Sequence, residues 1–310
     1  MKRILVLVSG ILALLATTAA PASADSGAYA STVCLVDSQF SSLSTLTAGS
    51  TAKGWNRDAP ARLNVGDSSY DSGLAPNVPA GFEVTIPTYI HVITDGATGN
   101  VTDAQIAQQM TVLNLAFGGF YGGADSGISF ELKGVTRTSN AAWFTMNDFA
   151  DEVAAKTALR QGGPNALNIY TGTAAGNLGF AYYPSILRYN GKKYQALDGA
   201  VLHYGSFPGG FIPRFNLGQT ATHEVGHWFG LAHTFEKGCL GDGDRVDDTE
   251  PMLVPTSGCP EGKDTCLKEP GLDPIHNYMD YSDDACYNQF TPGQAARAQA
   301  QYIHFRTGRY

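Results

Sequence analysis

Three histidines and one glutamate fall within the stretch HEVGHWFGLAH at 223–233, although the whole chain holds only seven histidines. His223 and His227 are four residues apart, so on a helix their side chains lie on one face, one above the other. Two imidazoles in this arrangement can share a metal ion, with Zn–N distances of about 2.0–2.1 Å. Glu224 can border such an ion without binding it. The pattern predicts two zinc ligands and a general base.

His233 lies ten positions after His223, a distance of about 15 Å along a continuous helix. The two side chains can reach one ion only if the helix ends and the chain turns back. Glycine adopts the left-handed conformation that ends helices at little steric cost. We therefore expect Gly230 to end the helix and His233 to be the third ligand, which leaves a fourth position open as in catalytic zinc sites. The alternative is a helix whose histidines pack in the core without metal.

The full pattern HExxHxxGxxH resembles that of the metzincin zinc peptidases. The methionine turn of that family resembles NYMDY at 277–281, with Met279 as the methionine. The runs GCLGDGDRVDDTEP, GCP, NYMDYSDDAC and FTPGQAAR resemble, in order and spacing, the pappalysin-like or cytophagalysin branch, which includes ulilysin-like enzymes. IPTYIHVI at 86–93 extends the resemblance, which covers about residues 77–310.

This resemblance implies an α/β (α+β) metzincin-type catalytic domain. A twisted mixed sheet would carry a backing helix and an active-site helix, followed by a loop-rich, disulfide-bonded C-terminal subdomain. It implies a zinc-dependent endopeptidase that hydrolyses proteins or peptides, with Glu224 as general base, Tyr281 as a donor to the oxyanion and Met279 as a hydrophobic base under the metal. Tyr281 as a merely packed aromatic is the alternative. Two rival interpretations are a metzincin fold that binds zinc without turnover and a thermolysin-type enzyme with a downstream glutamate as third ligand.

Four of the five cysteines follow the zinc motif. In an oxidising compartment they predict two disulfides, for which three pairings are possible, and a cysteine zinc site is the alternative. The resemblance implies the pairs Cys239–Cys266 and Cys259–Cys286. The fifth, Cys34, could fill the open zinc position and hold a precursor latent, as cysteines do in some metzincins. An unpaired thiol or an intermolecular disulfide would also account for Cys34.

An acidic run, GDGDRVDDTE at 241–250, concentrates oxygen ligands at short spacing. Such hard ligands suit calcium, although the EF-hand pattern fails because Leu253 stands where that loop needs an acid. The family often holds structural calcium in this region. We therefore expect a calcium site built from Asp242, Asp244, Asp247, Asp248 and Thr249. The alternative is a solvated acidic loop.

The first residues predict export from the cell. MKR, an apolar run from Ile4 to about Ala16 and the small residues ASA at 22–24 are typical of a secretory signal peptide at 1–24. We interpret 25–76 as a prosegment and 77–310 as the catalytic domain, with an upper subdomain of about 77–230 and a lower one of about 231–310. The net charge of −8 argues against nucleic-acid binding. We expect a secreted monomer without a membrane anchor.

Periodicity places the motifs on secondary structure. Alternation at 84–92 predicts a strand, and Thr102 with Gln105 predicts a capping box that opens a helix. Further strands are expected at 128–138, 166–172 and 198–205, and further helices at 147–161, from about Leu217, and at about 292–304. The resemblance implies that the strand at 198–205 edges the cleft and holds substrate by strand addition. His91 and His203 are expected to be packed residues.

The substrate preference is a separate expectation. In several relatives an aspartate at the base of the S1′ pocket, directly before the last cysteine of the disulfide pair, selects Arg or Lys. Here that position is Ala285, after Asp283 and Asp284. Without the carboxylate, which would pair strongly with a basic side chain, we expect a broader or more hydrophobic preference.

Overall fold

One mixed sheet organises the domain. The computed structural model describes residues 78–188 and 192–307, and of 192–194 only the backbone. The strands are β1 (Val84–Thr94), β2 (Ile128–Ser139), β3 (Leu167–Gly172), β4 (Gly179–Ala181) and β5 (Ala200–His203), in the order β2-β1-β3-β5-β4. All neighbouring pairs are parallel except β4 with β5. The expected mixed sheet is confirmed, whereas the expected signal peptide, prosegment and Cys34 lie outside the described residues.

Six helices accompany the sheet within the described ranges: α1 (Asp103–Phe117), α2 (Ala141–Thr145), α3 (Phe149–Leu159), α4 (Lys192–Leu197), α5 (Gln219–Trp228) and α6 (Pro292–Arg306). The predicted capping box of Thr102 and Gln105 opens α1, and Thr291 with Gln294 forms a second one at α6. Each box satisfies two backbone donors at a helix start. The predicted helices at 147–161 and 292–304 correspond to α3 and α6.

The core lies between the sheet and the active-site helix. Ile106, Leu113 and Phe117 of α1 are buried together with Ile86 and Ile90 of β1. The same cluster contains Val225 and Trp228 of α5, Met279 and Phe290 of the following loops, and Tyr302 of α6. Helix α5 is therefore anchored in the main core, which holds the histidine motif that it carries in place.

The edge of the sheet differs from the expectation. The strand predicted at 198–205 is β5, which lies between β3 and β4, so the prediction that it edges the cleft is wrong. The edge is β4, where Phe180 pairs with Val201 in antiparallel register. The run at 200–202 is buried throughout, as is typical of an internal strand. The helices α2 and α4 were also not predicted.

The segment between α5 and α6 contains no regular helix or strand. Two disulfides join Cys239 to Cys266 and Cys259 to Cys286, which is the pairing that the family resemblance implies. Each closes a loop across a sequence separation of 27 residues, and such cross-links stabilise by constraining the unfolded chain. Within the described part of the chain, no helix combines the length and the apolar character that a membrane crossing requires.

Candidate active site

The three histidines of the motif converge on one point. Their Nε2 atoms are separated by 3.1 Å between His223 and His227, 3.3 Å between His223 and His233, and 3.1 Å between His227 and His233. A tetrahedral zinc ion with Zn–N bonds of about 2.0–2.1 Å holds its nitrogen ligands about 3.3 Å apart. All three side chains are buried. The donor set and its spacing therefore fit a zinc ion.

Backbone carbonyls orient two of the three rings. The Nδ1–H of His223 donates to the carbonyl of Tyr278 at 2.6 Å, and that of His227 donates to the carbonyl of Leu231 at 2.8 Å. A proton on Nδ1 leaves the lone pair of Nε2 free to bind a metal. The third ring, His233, stacks on Phe235 with ring centres 4.6 Å apart. The rings are thus fixed with their metal-binding nitrogens toward one another.

Burial keeps the imidazoles of His223 and His227 neutral. Loss of solvation lowers the pKa of His223 to about 3, and the proximity of His233 contributes further. The same two causes, with His223 as a third, hold the pKa of His227 well below its ordinary value. A metal ligand must be the neutral imidazole, so neither ring needs to lose a proton at neutral pH before it can bind an ion.

A helix-ending turn brings His233 back toward α5. Gly230 has φ of +86°, its N–H donates to the carbonyl of His227 at 2.8 Å, and the N–H of Leu231 donates to Gly226 at 3.0 Å. These two bonds form a Schellman motif. The expectation that Gly230 ends the helix is confirmed, and the carbonyl of Leu231, just past the turn, is the one that orients His227.

The segment 277–281 lies beneath the histidines. A Cβ built on Gly226 would lie 2.4 Å from Sδ of Met279, so the methionine packs directly on the backbone of α5. The carbonyl of Met279 accepts from the N–H of Thr234 at 3.2 Å, and Tyr278 supplies the carbonyl that orients His223. One turn of chain therefore supports both the first and the third histidine.

Two more predicted residues border the histidines. Glu224 is 1% exposed and its carboxylate lies against Gly179 of β4. The Tyr281 ring is 4.9 Å from that of His233 and 5.6 Å from that of His223, centre to centre. Tyr281 is thus placed beside the candidate metal centre, and Glu224 is buried between α5 and β4.

The acidic run at 241–250 does not gather its carboxylates. Asp242 pairs with Lys237 and Arg245, whereas Asp248 accepts from Thr291 and from the backbone of Gly293 at the start of α6. Asp244 is buried beside Thr249, which donates to both of its oxygens at 2.7 Å. Asp247 is exposed. Among the described residues, no three acidic side chains of this run share one point.

Sequence reasoning missed several residues around the histidines. Phe235 stacks on His233 and its ring centre lies 4.8 Å from that of Tyr281. Tyr183 approaches the ring of His227 edge-on at 5.5 Å. Phe235 could have been suspected because it follows the motif by two residues, but no local signal indicates Tyr183. His91 and His203, expected to be packed, hydrogen-bond to Thr136 and Asn168 and to the backbone, respectively.

The fold and the three-histidine centre together define a zinc-dependent peptidase. The sequence model of peptidase M43, described as pregnancy-associated plasma protein-A, matches residues 166–302. An extracellular metalloprotease of Pyricularia oryzae is 49% identical over 231 residues, which are 73% of this chain and 77% of that protein. One of Arthroderma benhamiae is 43% identical over 79% of each chain.

Solved structures of similar fold support the same family. Mature mirolysin of Tannerella forsythia, in complex with a cleaved peptide, superposes with a TM-score of 0.61 at 30% identity, over 70% of this chain and 91% of that one. A promirolysin mutant of the same organism gives a TM-score of 0.64 at 28% identity, over 76% and 85% of the two chains. This chain belongs to the M43 or pappalysin family of metzincins. It is an extracellular metalloprotease that acts on proteins.

Proposed function

We propose that His223, His227 and His233 hold the catalytic zinc of a secreted endopeptidase. The observation that carries this proposal is the convergence of three buried Nε2 atoms within 3.3 Å of one another. When bound, zinc polarises the scissile carbonyl and lowers the pKa of water toward about 7. The proposal differs from a thermolysin-type site in its third ligand, which is His233 and not a glutamate.

Glu224 is the general base in this proposal. It follows the first ligand along α5, yet among the described residues it does not belong to the group of ligand atoms that the three histidines form. A carboxylate can accept the proton of the attacking water and then give it to the leaving nitrogen. The hydroxyl of Tyr281 donates a hydrogen bond to the oxyanion. The position of its ring beside two of the ligands, His223 and His233, supports that role. Met279 is a hydrophobic support.

Two variants test the assignment. Glu224→Gln should abolish casein cleavage, a loss of at least about a hundredfold, while the protein keeps about one zinc per chain because the residue is not a ligand. His233→Ala should lose zinc as well as activity. Substantial activity in Glu224→Gln would refute the general base, and full zinc retention in His233→Ala would refute the third ligand.

The S1′ preference is proposed to be broad or hydrophobic. Ala285 replaces the expected aspartate and is exposed. The two preceding carboxylates have other partners: Asp283 forms an ion pair with Arg214, and Asp284 accepts from the N–H groups of Leu217 and Gln219. Ala285 has no carboxylate and that of Asp283 is neutralised by Arg214, whereas Asp284 is buried against the start of α5, where Oδ2 accepts both backbone hydrogen bonds and Oδ1 accepts none. A peptide-library profile dominated by Arg or Lys at P1′ would contradict this proposal.

Latency is a further part of the proposed function. We infer a signal peptide at 1–24, a prosegment at 25–76 and a catalytic domain at 77–310, with Cys34 as the ligand that closes the fourth zinc position in the precursor. Sequence alone supports this, since thiolate binds zinc at about 2.3 Å. Cys34→Ala should yield a precursor that is active or matures faster, and mercurials should activate the wild-type precursor. A variant precursor as latent as wild type would contradict it.

Calcium is proposed at the acidic run, with Asp244 and Thr249 at its centre. A buried Asp244 whose pKa burial raises to about 6 is a carboxylate that a cation would stabilise. The other candidates are Asp242, Asp247 and Asp248. Calcium should raise the thermal midpoint of the zinc-loaded enzyme, and Asp244→Asn should remove that increase. An unchanged midpoint with millimolar calcium would refute the site.

A further inference from the structure

The edge strand β4 has two unlike faces. Side chains alternate along a strand, so Gly179 and Ala181 share one face and Phe180 and Tyr182 follow the other. The rings of Phe180 and Tyr182 lie over the buried ammonium of Lys156, at 5.2 and 4.8 Å from its Nζ. Phe180 and Tyr182 thus face away from the histidines, and the small residues Gly179 and Ala181 form the face of the strand toward α5.

Gly179 touches the carboxylate of Glu224. A Cβ built on Gly179 would lie 2.8 Å from both Cγ and Oε1 of Glu224, and 3.0 Å from Cδ. Ordinary contacts between carbon atoms are about 3.5–4.0 Å. The side chain of Glu224 therefore packs directly against the backbone of β4 at Gly179. Any residue other than glycine would place its Cβ in the volume that this side chain occupies.

The backbone conformation at position 179 does not require a glycine. Gly179 is absent from the glycines with positive φ, and it pairs with Leu202 in regular antiparallel register. Alanine can therefore adopt its backbone conformation. The atoms that a methyl group would meet are Cγ, Cδ and Oε1 of Glu224 and not backbone atoms, so the side chain would be displaced before the strand.

We propose that Gly179 is a positioning residue for the catalytic base. Its missing side chain provides the space in which the Glu224 carboxylate is held at the edge of the sheet, and this inference rests on the proposed role of Glu224. Reacting groups must be held close to their productive geometry, because a displacement of about 1 Å can cost about a hundredfold in rate. A single methyl group on β4 is enough to cause such a displacement.

The test is Gly179→Ala, assayed on a quenched fluorescent peptide. We expect kcat to fall about 10- to 100-fold, with KM, zinc content and the thermal midpoint close to wild type. Gly134→Ala is the matched control: Gly134 is also a strand glycine without positive φ, and its Cβ would meet only the ring of Tyr89, at 3.3 Å. Its kcat should equal that of wild type.

A second background separates positioning from a structural effect. Glu224→Asp shortens the side chain by the methylene that the new methyl group would meet. Gly179→Ala should then cost less than about threefold, so the two substitutions should be strongly non-additive. An unchanged kcat in Gly179→Ala, a loss of zinc or thermal stability, or fully additive effects would overturn the proposal. If Glu224→Gln is itself active, the assignment of the base fails; if it is inactive while Gly179→Ala is fully active, only the inference fails.

Discussion

Aromatic rings enclose the third histidine from two sides. Phe235 lies nearly parallel to His233, with an interplanar angle of 11°, and Tyr281 meets the same ring at 77°. Because Phe235 and Tyr281 also contact each other, the three rings fix one another. The ring of Tyr281 makes these contacts whether or not the residue is catalytic. Its hydroxyl is the group that would donate a hydrogen bond to the oxyanion.

Tyr281→Phe separates these two roles. The ring contacts stay, so zinc content and thermal midpoint should match wild type, whereas loss of an oxyanion donor lowers kcat by about 10²- to 10³-fold. Peptide hydrolysis at saturating substrate measures the effect. Tyr287→Phe is the control, since that hydroxyl donates to the backbone of Asp280 in the same segment. Full activity in Tyr281→Phe would mean that the residue only packs.

At this scale the sequence was informative because the constraints are local. The spacing of His223 and His227 requires only a helix, and Gly230 requires only a turn with positive φ. The role of Gly179 could not be predicted, since its neighbour Glu224 is 45 positions away and nothing in LGFAYY shows which residue approaches the strand. Close approach of two segments is visible only after folding.

Among the elements, α6 clamps the end of α5. The guanidinium of Arg306 lies 3.3 Å from the centre of the Trp228 ring, donates to the Trp228 carbonyl at 2.7 Å and pairs with Asp198. Both ionic side chains have 0% exposure. Cations at a helix C-terminus also interact favourably with its dipole. This contact restrains the residue directly after His227.

Arg306→Met should destabilise the domain strongly. Removing one partner of a buried ion pair leaves a buried charge and costs about 3–5 kcal/mol of folding free energy. Arg160, at 3.3 Å from Asp198, offsets part of that loss because it still pairs with the carboxylate. The free energy of unfolding by urea, with the disulfides intact, measures the change. Arg306→Met combined with Asp198→Leu should not recover the loss, because Asp198 also pairs with Arg160 and its removal leaves that guanidinium without a carboxylate. A double variant more stable than Arg306→Met would contradict this account.

Asp284 couples the loop after the methionine turn to the start of α5, and it should make stability depend on pH. Burial raises its pKa to about 7, against the hydrogen bonds from Leu217 and Gln219. The folded state therefore holds a proton that the unfolded state has released. The stabilisation is complete below the unfolded pKa of 3.8 and is lost as pH rises toward about 7.

Asp284→Asn tests this sign, because the amide keeps an acceptor and carries no charge. Relative to wild type, the variant should gain up to about 1.4 kcal/mol per pH unit between about pH 4 and 7, and the difference should level off above pH 7. Urea unfolding of both proteins at several pH values measures it. The difference between the curves removes the contribution of His223 and His227, whose lowered pKa values act in the opposite direction. Parallel curves would contradict the assignment.

Elements with strong periodicity were predicted and those without it were not. β1, α1 and α6 carry alternation or capping boxes in their own sequence. β4 has only three residues, too few for a pattern, and its pairing with β5 decides which strand is the edge. The contact of Arg306 with Asp198 spans 108 residues, and no local rule connects such positions.

For the whole molecule, the metal should be a stabilising ligand as well as a catalyst. Zinc binds the folded centre and not its dispersed histidines, so loading raises stability by mass action, by about 4 kcal/mol at a thousandfold excess over Kd. A zinc chelator should abolish casein cleavage and lower the thermal midpoint, and added zinc should restore both. A midpoint that is the same with and without zinc would show that the ligands are not organised by the ion.

The clamp on α5 also bears on the timing of activity during biosynthesis. Ribosomes deliver the chain from its N-terminus, so α6 emerges after every other described element. Until it does, Asp198 lacks Arg306, and the Gly230 carbonyl lacks the Arg297 side chain that donates to it at 3.0 Å. A chain that ends before α6 therefore lacks two side-chain contacts at the C-terminal end of the helix that carries His223 and His227.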